Sequence, residues 1–208
     1  MWDERYAADV PAYGEEPNGF LVEAAARLKP GKVLCLAEGQ GRNAVWLAGQ
    51  GFTVTAMDQS PVGLGYAREL AARRGVELET QVGDLADYDL GEAQWDNIVS
   101  IFGHLPPELR RSVHQRVVRA LKPGGMFLLE AYRPAQLEAD GVGGPPDAAM
   151  MLDLQIIAQE LPELEPVIAR KVSREVDEGV YHHGLSETVQ YVGRKPELER
   201  GKKTDVFT

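Results

Sequence analysis

The segment from Val33 to Asp58 constrains this chain more than any other. An apolar run, Val33-Leu34-Cys35-Leu36, enters the turn Ala37-Glu38-Gly39-Gln40-Gly41. A helical stretch follows, and a second apolar run, Val54-Thr55-Ala56-Met57, ends on the lone acid Asp58. Strand, glycine turn, helix and strand in that order make half of a nucleotide-binding βαβ unit. Gly39 and Gly41 permit a tight turn and a close approach to a ligand, because no Cβ intervenes. The first amides of the following helix point at that ligand. Asp58, at the tip of the second strand, is placed to accept both hydroxyls of a ribose. The pattern therefore describes a site for an adenosine-type cofactor.

Two cofactors compete for it. Gly39-Gln40-Gly41-Arg42-Asn43-Ala44 satisfies G-x-G-x-x-G/A, which suits NAD almost as well as S-adenosylmethionine. Three further features favour the second. Glu38 stands where it could meet a cationic amino group and would repel a pyrophosphate. Asp84 follows the alternating run at 76–83 and puts another carboxylate at a third strand tip, suited to the adenine amine; its competing reading is a turn residue. Finally, Leu121-Lys122-Pro123-Gly124-Gly125 precedes the run Met126-Phe127-Leu128-Leu129-Glu130.

With these segments in view, the chain resembles the class I S-adenosylmethionine-dependent methyltransferases along nearly its whole length. Trp95-Asp96-Asn97-Ile98-Val99-Ser100 is similar to the family's fourth-strand motif, and the Leu121–Gly125 turn to the one before its fifth strand. The opening Trp2-Asp3-Glu4-Arg5-Tyr6, with Tyr13-Gly14 and Pro17-Asn18, resembles the small bacterial enzymes grouped with tellurite-resistance and thiopurine methyltransferases. Two positions depart from the pattern. Cys35 stands where the family commonly has an acid, and Ala37 where it commonly has the first glycine. The resemblance implies a cofactor site built from Trp2, Tyr6, Tyr13, Glu38, Gly39, Gly41, Asn43, Asp58, Gln59, Ser60, Asp84, Leu85 and Ile101. Glu38 would take over the contact with the methionine ammonium.

Alternation of strands and helices implies a doubly wound, mainly parallel α/β sheet with helices on both faces. Helices are expected over Asn18–Leu28, Arg42–Gln50, Pro61–Arg74, Pro106–Leu121 and Ala148–Leu161, with Asn18 and Ser60 as caps and Pro61 in a first turn. Val167–Val176 and Ser186–Arg194 alternate like strands. The resemblance makes them the C-terminal antiparallel hairpin of a seven-stranded sheet. One domain over residues 1–208 is expected, since the length fits a single core.

With 22 Lys plus Arg against 32 Asp plus Glu, the net charge is −10. An acidic chain gains little from phosphate neutralisation, so no nucleic-acid partner is expected. No apolar stretch reaches the roughly 20 residues that span a bilayer, and no basic-apolar leader opens the chain. A cytoplasmic protein acting on a small-molecule substrate is the expectation. The sequence leaves the oligomeric state open.

Methyl transfer to a nucleophile is an in-line displacement, which needs alignment and exclusion of water more than it needs a base. His104, just past the fourth strand, is the catalytic candidate for accepting a proton; the competing reading is a loop histidine bound to backbone. Trp2, Tyr6 and Tyr13 are expected to form a lid over the cofactor, the alternative being a packing strap on the first helix. Arg133 is read as a ligand for an anionic substrate or as a solvated side chain. Cys35 reads as a buried small hydrophobe, Asp96 as structural, and His114, Arg110-Arg111 and Arg73-Arg74 as solvated. His182-His183 lacks accompanying ligands, so no metal is expected. Two other functions remain open: a small NAD(P)-dependent reductase, and a non-catalytic cofactor-binding protein of the same fold.

Overall fold

The computed structural model describes residues 2–7 and 11–197. Its strands are β1 (Lys32–Leu36), β2 (Thr53–Asp58), β3 (Glu79–Val82), β4 (Trp95–Ile101), β5 (Leu121–Tyr132), β6 (Glu165–Asp177) and β7 (His183–Arg194). They form one seven-stranded sheet in the order β3-β2-β1-β4-β5-β7-β6. β1 to β5 pair in parallel, with Val33 opposite Val54 on one side and Asn97 on the other. β7 enters between β5 and β6 and is antiparallel to both. The expected C-terminal hairpin is therefore present.

Successive side chains of a strand face opposite sides of the sheet, and β1 buries both sets. Val33 and Cys35 join Phe20, Leu21, Leu47 and Leu64 on one face. Leu34 and Leu36 join Val113, Val117, Phe127 and Ile157 on the other. The first layer comes from α2 (Gly19–Ala24), α3 (Arg42–Gly49) and α4 (Pro61–Arg74); the second from α5 (Pro107–Ala120) and α6 (Leu154–Glu160). A short helix, α1 (Trp2–Tyr6), precedes them. Caps set several starts. Asn18 accepts from the Leu21 amide, and Ser60 from the Gly63 amide with Pro61 in the first turn.

Two expectations need correction. The helix anticipated over Ala148–Leu161 is split into a 3-10 turn at Ala148–Met150 and α6. Between them the Leu152 amide donates to the Tyr132 carbonyl at 3.0 Å, and Met151 and Leu152 are buried. Strand-end pairing and apolar burial there outweigh helix propensity. Arg110 and His114, read as solvated, are buried on α5 because α6 lays Glu160 against them. Arg110 Nη2 lies 3.1 Å and His114 Nδ1 2.7 Å from the Glu160 carboxylate. Arg110 also donates to the Ala149 carbonyl.

Burial opposes ionisation of Glu160, but His114 and Arg110 outweigh it and hold its carboxyl below the usual range. Removing one member of a buried ion cluster strands the others. Glu160→Gln is therefore expected to cost about 3 kcal/mol in urea unfolding near neutral pH. A carboxylate with a depressed folded-state pKa contributes fully above its unfolded value and loses that contribution as pH falls through the folded one. The deficit of the variant should accordingly shrink in acid. Equal stability of variant and parent at pH 7 would show that the cluster contributes nothing.

Candidate active site

The carboxyl ends of β1, β2 and β4 meet at the glycine turn, the expected ligand crevice of an open α/β sheet. Gly39 has φ of +59° and Gly41 +85°, backbone that suits glycine. Their duties differ. A Cβ on Gly41 would stand 2.4 Å from the Ala67 Cβ, so Gly41 lets α3 and α4 pack closely. A Cβ on Gly39 would meet the Tyr6 hydroxyl at 2.6 Å, so this glycine faces the site itself. Ala37 also adopts a positive φ, +50°, at the position where the family commonly has glycine.

Asp58 is buried at the tip of β2. Its carboxylate accepts from the Gly39 amide at 2.9 Å and from the Ser60 amide at 2.8 Å. Burial raises its pKa above the ordinary value against the pull of these amides. The acid thus fixes the turn while standing beside it.

Glu38 does something the sequence did not reveal. Gly41, the cap position of α3, has no side chain to offer, and Glu38 Oε1 accepts from the Asn43 amide at 3.0 Å and the Ala44 amide at 2.8 Å. Burial pushes its pKa up to about 7. It also lies against the buried Cys35 thiol, whose pKa burial and then Glu38 drive well up. Asn43 is likewise turned inward, its Oδ1 accepting from the Asn18 amide at 2.9 Å.

The N-terminal segment lies across this turn. Tyr6 is buried against Gly39 and Gly63, beside Asp58, and burial followed by that carboxylate raises its hydroxyl pKa. Trp2 stacks on Tyr6 with centroids 5.8 Å apart, and Tyr13 meets Tyr6 edge-on at 6.4 Å. Gln40, inside the glycine turn, accepts from the Ala12 amide at 2.8 Å and donates to the Tyr6 carbonyl at 3.4 Å. Asp3 is hydrogen-bonded to Ser60, and Glu15 to Tyr66 and Arg73 of α4. Residues 1 and 8–10 of the expected lid lie outside the described residues.

Other candidates are placed less centrally. Asp84 is exposed and its Oδ1 accepts from the Ala86 amide at 2.8 Å, a turn arrangement next to the buried Leu85. Gln59 is exposed, and Ile101 half-buried at the end of β4. Arg133 pairs with Glu187.

His104 is held by backbone groups. Its Nδ1 lies 3.0 Å from the Phe102 carbonyl and its Nε2 accepts from the Tyr132 amide at 3.0 Å. Both ring nitrogens are committed to backbone, and burial lowers its pKa to about 4. It braces the ends of β4 and β5, the arrangement of the loop-histidine reading.

Around it the structure assembles a group that no local pattern announced. Phe102, at φ +55°, stacks on Tyr132 at 4.6 Å. His182 from the β6–β7 turn presents its edge to Phe102 at 4.6 Å and Tyr132 at 5.3 Å, and Tyr13 covers it at 4.6 Å. Behind the rings lies a buried ionic lattice. Glu130 accepts from Asn18, Arg174 and Gln190, and Glu178 from Asn18, Arg174 and Arg42. Burial opposes the charge on Glu178, and Arg42 and Arg174 overcome it. The only sequence signal was Glu130 itself, an acid at the end of an apolar strand run.

Residues 33–125 match the family model described as a methyltransferase domain. The chain is 30% identical over 146 residues to a 2-heptyl-1-hydroxyquinolin-4(1H)-one methyltransferase of Mycobacteroides abscessus, covering 68% of this chain and 64% of that protein. The chain thus spans less than two thirds of that relative's length. Among solved structures, TehB from Haemophilus influenzae superimposes with a TM-score of 0.71 at 23% identity, over 86% of this chain and 62% of that one. The N-methyltransferase NodS from Bradyrhizobium japonicum WM9, in complex with S-adenosylhomocysteine, does so with a TM-score of 0.68 at 18% identity, over 94% and 97%. These likenesses agree with the seven-stranded fold and its C-terminal hairpin. The chain is thus similar to methyltransferases over residues 33–125 and shares the fold of these solved structures.

Proposed function

We propose that this chain transfers the methyl group of S-adenosylmethionine to a small-molecule acceptor in the cytoplasm. The observation that carries the reading is the buried Asp58 carboxylate, locked to the Gly39 amide at 2.9 Å beside a glycine turn that Tyr6 of the N-terminal segment covers. A carboxylate and a glycine backbone edge beneath an aromatic ring fit a hydroxylated, adenosine-bearing group. Asp58 would hold the ribose hydroxyls, the turn from Gly39 to Gly41 would follow the chain toward sulfur, and Asp84 with Leu85 would border the adenine. When bound, the cofactor supplies an electrophilic methyl on a sulfonium.

The rest falls to this chain's own residues. Trp2, Tyr6 and Tyr13 would exclude bulk water, which protects the electrophile and strengthens every polar contact beneath. Phe102 and Tyr132, at the ends of β4 and β5, offer flat apolar walls to an acceptor. A small acceptor is supported by the charge of −10 and by the small-molecule substrate that the Mycobacteroides abscessus relative's name states. Among the described residues no helix is long and apolar enough to cross a membrane.

Incubating the protein with S-adenosylmethionine and a panel of thiols, hydroxylated aromatics and chalcogen oxyanions should yield S-adenosylhomocysteine in proportion to methylated product. Cofactor binding with no turnover on any panel member would favour the non-catalytic alternative.

A further inference from the structure

Two of the buried polar side chains left incompletely bonded among the described residues lie close together. Arg42 is 7% exposed, and its Nη2 holds Glu178 while its Nη1 has no partner. His182 is 8% exposed, and its Nδ1 has no partner. An unsatisfied buried donor or acceptor costs about 1–3 kcal/mol, so such groups concentrate where a ligand completes them. Burial first, and Arg42 second, hold the imidazole neutral, with a pKa of about 3. Glu178, His104 and Arg5 also face it. Its surroundings are flat rings: Phe102 and Tyr132 edge-on, and Tyr13 at 4.6 Å. Tyr13 belongs to the N-terminal segment and the others to the sheet ends, so the ring over His182 is the one a strap movement would remove.

We propose that His182 and Arg42 form the polar end of the acceptor subsite, and that the acceptor is a planar aromatic carrying an ionisable hydroxyl. Its ring takes the position of the Tyr13 ring, its hydroxyl donates to His182 Nδ1, and Arg42 Nη1 donates to the same oxygen. As the oxygen–methyl bond forms, the carbon–sulfur bond breaks with its electron pair going to sulfur, and the hydroxyl proton passes to His182. Charge balances: the sulfonium cation is consumed and an imidazolium is made. Phe102, strained at φ +55°, sets one wall of this subsite. The proposal rests on the methyltransferase reading above and adds to it the acceptor class and the residue that receives the proton.

Calorimetry with the full chain, saturated with S-adenosylhomocysteine, tests it. The probes are 1-hydroxyquinolin-4(1H)-one and its 1-methoxy counterpart, which has the same ring and no proton to donate. The wild type should bind the hydroxy probe at least tenfold more tightly. His182→Phe should bind both alike and retain S-adenosylhomocysteine affinity within twofold. Where His182→Phe loses S-adenosylhomocysteine binding and therefore its fold, His182→Gln decides. Its amide still accepts a hydrogen bond but takes no proton, so preference for the hydroxy probe should survive in part while its methylation falls at least a hundredfold. Equal binding of the two probes by the wild type, no binding of either, or an undiminished rate in His182→Gln overturns the proposal. If S-adenosylhomocysteine itself fails to bind the wild type, the methyltransferase reading falls instead.

Discussion

Replacing Asp58 with alanine is expected to weaken S-adenosylhomocysteine binding at least a hundredfold. The carboxylate would lose charge-assisted bonds to a ribose, each worth about 1.5–3 kcal/mol, and about 1.4 kcal/mol is a factor of ten. The substitution also releases the Gly39 and Ser60 amides, which the carboxylate now satisfies at 2.9 and 2.8 Å. The variant should therefore melt a few degrees lower and still fold. Asp58→Asn, which keeps an acceptor for these amides but no charge, separates turn geometry from ligand binding. It should retain most of the melting temperature and lose most of the affinity. An unchanged dissociation constant in both variants would show that Asp58 serves only the turn.

Deleting residues 1–14 is expected to abolish methyl transfer while leaving the sheet intact, since among the described residues no strand begins before Lys32. The segment is held by side chains that survive without it: Gln40 at Ala12 and Tyr6, Ser60 at Asp3. The deletion uncovers Gly39 and Gly63, which Tyr6 now covers, and His182, which Tyr13 now covers. S-adenosylhomocysteine affinity should fall with it. Hydrogen exchange of residues 2–7 should slow when the ligand binds the full chain. Equal affinity of truncated and full-length protein, with ligand-independent exchange, would make the segment a packing strap and nothing more.

What could be read from the sequence was what is encoded locally. The helix at Pro61–Arg74 is bounded by Ser60, Pro61 and Gly75, signals within one turn of its ends, and the structure places it there. Asn18 was legible as a cap for the same reason. The proposed cofactor half of the site shares this property, since Gly39, Gly41 and Asp58 sit on one βαβ unit. The proposed acceptor half does not. Tyr13, Phe102, Tyr132 and His182 come from four distant parts of the chain and meet only because β7 inserts between β5 and β6 and carries the preceding turn over the strand ends. His104 attracted the catalytic reading because its place is local. One of its two backbone bonds, to Tyr132 28 residues away, is not. Glu38 was read as a ligand group, while the helix amides it caps depend on the orientation of α3. Arg110 and His114 look like a solvated helix face until α6 folds over them with Glu160.

The central claim is that the turn at Gly39–Gly41 and the acid at Asp58 hold an S-adenosyl ligand, and comparative ligand binding addresses it directly. Titrating the full chain with S-adenosylhomocysteine, NAD and NADP by calorimetry, with melting temperatures taken in parallel, should give saturable binding and a concentration-dependent rise in Tm for S-adenosylhomocysteine alone. Equal or tighter binding of either nicotinamide cofactor would contradict the account.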